Sequence, residues 1–226
     1  MPTSFLALIP MVFMLGLRHG FDLDHLATID AMTRSVNQKV FYARLCGFFF
    51  SLGHGIVVIL VSLIISRGLL STHIPSWLDT LGQLISVLFL LLFSFITLWQ
   101  SLISKTNPGF GVKTRLSHRL LPKNLTPIMM MTVGALFALS FDTFSQVALF
   151  TITANQLKGG LLPVFFGLIF MMGMIVSDGL NGLVVSRLLV SANEFSTTLY
   201  RLAGLLIAAF SFSIGSIGLF NLVWGS

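Results

Sequence analysis

Long apolar runs alternate with short polar links along this chain. Runs of roughly 20 apolar residues are long enough to cross the hydrocarbon core of a bilayer as helices. The pattern predicts six such segments, over residues 4–33, 44–66, 77–103, 127–155, 160–190 and 198–224. Pro75 and Pro127 stand just before the third and fourth, where a first-turn proline gives up no hydrogen bond. Gly159-Gly160 punctuates the link before the fifth. Segment three is almost purely apolar from Ser86 to Leu98. Segment six carries Ser211, Ser213, Gly215, Ser216 and Gly218, small residues that suit close helix contact. The first segment is long enough to tilt or to extend beyond the membrane. The short alternating segments of a β-barrel are absent. The chain is therefore read as an all-α polytopic membrane protein with one transmembrane domain over residues 1–226.

Composition strengthens that picture. The chain is 55% hydrophobic and 9% charged, with a mean hydropathy of +0.96, whereas a soluble domain carries about a quarter charged residues. The net charge of +6 does not point to nucleic acid, because the cations sit in the links, where they act as topology signals. The first, third and fifth links hold Arg34, Lys39 and Arg44, then Lys105, Lys113, Arg115, Arg119 and Lys123, then Arg187 and Arg201. The opposite side holds Arg67 and Lys158. Ten cations against two predict that both termini lie outside and that the polar stretch at about 104–126 is a cytoplasmic loop. The single cysteine, Cys46, excludes an intramolecular disulfide. The first apolar segment lacks the basic start of a cleavable signal peptide.

Charge spent inside the membrane then carries the chemistry. The stretch RHGFDLDH, residues 18–25, places five ionisable groups in the first segment. Asp22, Asp24, Asp142 and Asp178 lie in expected spans, as do His19, His25 and His54. A charge at membrane depth costs about 2.5–3.5 kcal/mol even on the lenient insertion scale, and such groups mark ion or substrate paths. At about 100° per residue, His19, Asp22 and His25 cover an arc of roughly 120° on an ideal helix, and Asp24 points elsewhere. Either Gly20 permits a local distortion, or Asp24 orients a histidine from behind. Asp142 has Ser145 and Gln146 on its own helix face, with Thr143 beside it; Asp178 has Asn181 at i+3 and Met174 at i−4. Met171, Met172 and Met174 suit core filling better than ligation. Imidazole with carboxylate, amide and hydroxyl, and no thiol, suits a borderline divalent metal such as nickel, cobalt or zinc. The same groups suit a proton relay.

The two halves of the chain echo each other. FDLDHLA at 21 is similar to FDTFSQVA at 141, and HGI at 54 to DGL at 178. Three helices per half would make a 3+3 inverted repeat, with its site at the interface of the halves. In such a plan segments one, two, four and five converge and segments three and six form the periphery.

RHGFDLDH resembles the His-x4-Asp-His signature of the nickel/cobalt transporter family through His19, Asp24 and His25. FFSLGHGIVV (49–58), LSFDTFSQV (139–147) and GMIVSDGLNG (173–182) are similar to that family's other three signatures, in the same order. The resemblance implies a permease that imports nickel or cobalt ions across the cytoplasmic membrane of a microbe. It implies metal recognition by His19, Asp24 and His25, and by His54 from the second signature. In the expected mechanism the ion binds His19 and His25, with Asp22 or Asp24 supplying charge. Asp142, Thr143, Gln146, Asp178 and Asn181 become further candidates along the transport path. Gln146 and Asn181 stand where the family usually has acids, which removes up to two negative charges. Longer members are described as spanning eight times, so a helix preceding the signature is expected to be missing here.

The expectation is a secondary transporter, not an enzyme. No Gly-x4-Gly-Lys-Ser/Thr phosphate loop is present, so a gradient or a partner must supply energy. The divalent ion is the cargo, and no fixed cofactor is expected. Protons compete with metal for imidazole, so binding should weaken below about pH 6. A metal exporter and a proton-coupled carrier of another solute share the same residue chemistry.

Overall fold

The computed structural model describes residues 2–36, 40–67, 76–103, 125–139, 146, 148–150, 152, 161–190 and 194–224. All eight regular elements among them are helices: α1 (Pro2–His19), α2 (Leu23–Ser35), α3 (Val40–Arg44), α4 (Cys46–Ser66), α5 (Ser76–Ile103), α6 (Pro127–Phe137), α7 (Leu162–Val190) and α8 (Glu194–Trp224). Four of them, α4, α5, α7 and α8, are long and apolar enough to cross a membrane. The pair α1–α2 makes a fifth span if its two arms are taken together, although they are bent by 57°. The stretch expected as one helix over 4–33 is thus broken. The break falls at Gly20-Phe21-Asp22, immediately after the apolar run ends and where glycine weakens a helix. Thr126 caps α6 by accepting a hydrogen bond from the Met129 N–H, and Pro127 follows in the first helical position. Most of residues 138–155, the rest of that expected span, lie outside the described residues, as do Pro75, Gly159-Gly160 and the loop residues 104–124.

The bundle is apolar on its outside as well as in its core. Apolar side chains form outward stripes: Leu81, Leu84, Leu88, Leu92 and Phe95 on α5; Phe165, Leu168, Met172, Val176 and Leu180 on α7; Leu202, Leu206 and Phe210 on α8. Their spacing of three to four residues gives each helix one apolar outer face. Polar groups turn inward, among them His19, His25, Asp30, Ser51, His54 and Asp178. Lipid rewards that distribution and water would not. The protein is a multi-pass membrane protein. The least apolar helix, α2, is buried along Ala27–Arg34. A membrane protein tolerates broken backbone and polar sequence where other helices cover them.

Glycines set how closely the central helices approach. A Cβ at Gly16 would collide with the Phe170 backbone of α7, and one at Gly173 with the backbone of Phe13 and Leu17 in α1. A Cβ at Gly53 would meet the Met131 backbone of α6, and one at Gly134 that of Phe50. Helix α4 thereby packs between α6 and α7, while α1 crosses α7. Helices α5 and α8 pack mainly on each other, with Ser94 donating to the Ala208 carbonyl across 2.7 Å. Within an apolar solvent such contacts stand in for the hydrophobic effect.

Gly173→Ala should destabilise the protein by about 1–3 kcal/mol, because backbone cannot move aside as a side-chain tip can. Gly179→Ala, with nothing within 4 Å of the added carbon, should be neutral or slightly stabilising. Thermal unfolding of the two variants in detergent checks this; equal transitions would contradict the close crossing.

Candidate metal centre

The break between α1 and α2 builds the centre. The chain turns through short bonds, Phe21 N–H to the Arg18 carbonyl at 3.0 Å and Asp22 N–H to the His19 carbonyl at 2.9 Å. It then resumes as α2, with Leu26 N–H on the Asp22 carbonyl at 3.1 Å. His19 ends one arm and His25 lies in the first turn of the other, so their rings meet with centroids 4.6 Å apart. His54, in the middle of α4, completes a triangle at 4.9 Å from His19 and 4.8 Å from His25. All three rings are buried. One nitrogen from each lies within 4.8 Å of the other two. Nitrogens bound at about 2.1 Å to one tetrahedral ion sit roughly 3.4 Å apart. The His19 Nε2–His54 Nε2 separation of 3.1 Å is already close to that. Among the described residues this is the one group of three His, Cys, Asp or Glu side chains with metal-ligand spacing.

Carboxylates behind the rings fix which nitrogens face inward. Asp22 Oδ2 lies 3.0 Å from His19 Nδ1. Asp178 holds His25 Nδ1 with its two oxygens at 3.3 and 3.2 Å. An ionised carboxylate only accepts hydrogen bonds, so both imidazoles carry a proton on Nδ1 and turn Nε2 toward the centre. The His19 Nε2–His54 Nε2 contact needs one proton between the two nitrogens, which a metal ion bound by both would displace. His25 Nε2 and His54 Nδ1 have no hydrogen-bond partner among the described residues. A buried polar atom without a partner is costly, and at His25 Nε2, which faces the centre, a bound cation would relieve that cost. Phe50 stands edge-on to His25 at 4.8 Å and Phe170 lies against His19 at 5.4 Å, so apolar rings wall the centre.

Asp178 itself is wedged in place. Ser51 Oγ donates to its Oδ2 at 2.7 Å. Gly20 leaves no room for a side chain against Ser177 and the Asp178 carboxylate, and Gly47 none against the Asp178 carbonyl. Asp24 faces its own helix start, where its Oδ1 accepts the His25 N–H at 3.0 Å. Gln146 is buried and donates to the Ala138 carbonyl at 3.0 Å. Asn181 donates to the Leu26 carbonyl at 3.2 Å. Met174 is buried in the apolar cluster with Val12, Val58 and Phe170. Asp142 and Thr143 lie outside the described residues.

Two residues escaped the sequence reading. Ser51 sits three residues before His54, on the same helix face, a spacing that was visible. Asp30 is an acid in the first expected span. Its Oδ2 accepts from Arg34 Nε at 2.6 Å, both side chains being buried. The i,i+4 spacing of Asp30 and Arg34 was its signal. Five residues along a helix turn Asp30 about 140° away from His25, so this pair is separate from the histidine cluster.

Known proteins resemble the chain over most of its length. A sequence model described as NicO, high-affinity nickel-transport protein, matches residues 5–223. The hydrogenase nickel incorporation protein HupN of Bradyrhizobium diazoefficiens is 32% identical over 216 residues, covering 84% of this chain and 55% of that protein. The high-affinity nickel-transport protein NixA of Helicobacter pylori is 30% identical over 209 residues, covering 80% and 63%. The cobalt transport protein NhlF of Rhodococcus rhodochrous is 28% identical over 206 residues, covering 78% and 58%. The chain thus spans between about half and two thirds of the length of these relatives. No solved structure matches it.

Asp30→Leu should cost about 3–5 kcal/mol by leaving the Arg34 guanidinium buried without its carboxylate, and the double variant Asp30→Leu/Arg34→Met should recover most of that loss. Denaturation of the three proteins in detergent checks it. A single variant as stable as the parent would contradict a buried ion pair.

Proposed function

The chain belongs to the high-affinity nickel-transport protein family, and on that premise we propose that it carries Ni²⁺ or Co²⁺ inward across the cytoplasmic membrane of a microbe. The observation that carries this reading is the triangle of buried imidazoles from α1, α2 and α4. Imidazole nitrogen suits nickel, cobalt and zinc. In this reading His19, His25 and His54 are the ligands, and Asp22 and Asp178 hold two of them through their outer nitrogens. Carboxylates so placed raise ligand basicity and orient the ring. Asp24 steadies the start of α2 beside His25.

The ion is cargo, so it must leave as well as bind. Three neutral ligands attract a divalent cation less than carboxylates in direct contact do, while Asp22 and Asp178 temper its charge from one ring away. The ligands come from different helices, so a shift of α4 against the α1–α2 pair withdraws His54 and opens the set. Asp142 and Thr143 remain candidates for the onward path. Lys39 and Arg44, with the Lys and Arg of the links at 104–126 and 187–201, support a reading with those links inside and the termini outside. Entry then runs down the membrane potential, which supplies about 4.6 kcal/mol for a divalent ion at 100 mV.

The test is accumulation of radiolabelled nickel and cobalt in cells expressing the protein. His25→Ala and His54→Ala should abolish it, and Asp22→Asn should weaken apparent affinity about 10- to 100-fold. Unchanged uptake in either alanine variant would remove the histidine site. Metal levels that fall on expression would instead indicate export, and transport indifferent to chelators would indicate another solute.

A further inference from the structure

Helix α7 meets α2 through two side chains on one of its faces. Asp178 holds the His25 ring, and Asn181, one turn later, holds the carbonyl of the next residue, Leu26. Consecutive residues of α2 are thus gripped by two successive rungs of α7. The second rung has a fixed chemical direction. A carbonyl oxygen only accepts, so the group 3.2 Å from it must be an N–H donor. An amide supplies one. A carboxylate of the same size would set negative charge against a carbonyl oxygen.

We infer that Asn181 is a positioning residue for His25: its amide pins the first turn of α2 to α7, and it acts as a hydrogen-bond donor to backbone instead of offering its oxygen to the passing ion. The inference rests on His25 being a ligand, as proposed above. Gln146 shows the same chemistry elsewhere, donating its amide N–H to the carbonyl of Ala138, the residue that caps the end of α6. At both positions the amide nitrogen donates to a backbone carbonyl. The two readings of Asn181 separate on charge. If it were an ion ligand, a carboxylate there would add attraction and lower KM. If it positions α2, a carboxylate removes the donor and displaces His25.

The experiment compares nickel uptake by the parent, Asn181→Asp, Asn181→Leu, Asn181→Gln and His25→Ala, each normalised to the amount of monodisperse protein recovered in detergent. Loss of this bond should raise KM about tenfold in Asn181→Asp and Asn181→Leu, with Vmax per folded molecule within about twofold of the parent. Asn181→Gln keeps a donor and should fall between them and the parent. If Asn181→Asp does not fold, Asn181→Leu still tests whether the bond matters, because an unchanged KM there overturns the inference. An Asn181→Asp or Asn181→Leu variant with unchanged or lowered KM overturns the inference, and the transport reading survives if His25→Ala is inactive. A parent that accumulates neither nickel nor cobalt overturns the transport reading and this inference with it.

Discussion

The bend at Gly20–Asp22 is the constraint on which the rest depends. In a straight helix His19 and His25 would stand about 9 Å apart along the axis and face different directions. Bent by 57°, the same two residues bring their rings to 4.6 Å. The bend also swings Asp22 back onto His19 and delivers His25 to Asp178. A broken helix inside a membrane is tolerable only where protein covers the exposed backbone. Helix α7 provides most of that cover, with α5 and α8 against α2, and α2, polar in sequence, is buried as a result.

Close packing and polar satisfaction are two sides of this design. The glycines at the α1–α7 and α4–α6 crossings let backbones approach until little space remains around the histidines. In that space each polar group needs a specific partner. Ser51 and Asp178 serve His25, Asp22 serves His19, and Asp30 and Arg34 serve each other. His25 Nε2, which faces the centre, has no hydrogen-bond partner among the described residues. A cation bound there would engage it.

Much of this was legible in the sequence. Long apolar runs announced a helical membrane protein, and His19, His25 and His54 stood out because ionisable groups are rare there. What escaped were contacts between distant residues. Periodicity along a straight helix left Asp24 stranded on a far face and offered a distortion at Gly20 as one of two explanations; the structure has the distortion, at Gly20–Asp22. The partner of His25 turned out to be Asp178, 153 residues away, which no local spacing reveals. Gln146 and Asn181 were legible as polar groups in spans, but whether an amide uses its oxygen or its nitrogen depends on what lies opposite. Asp30 was overlooked because Arg34, two residues from Val36 at the end of α2, reads as a link cation when a membrane helix is assumed to end beside it.

The central claim is that three imidazoles gathered by one broken helix and its neighbour hold a single ion. X-ray absorption at the nickel edge, on nickel-loaded protein purified in detergent, tests it directly. The account predicts nitrogen ligation with the outer-shell scattering of three imidazole rings, falling to two in His54→Ala. A spectrum of oxygen ligands without imidazole scattering, or one unchanged by His54→Ala, would contradict it.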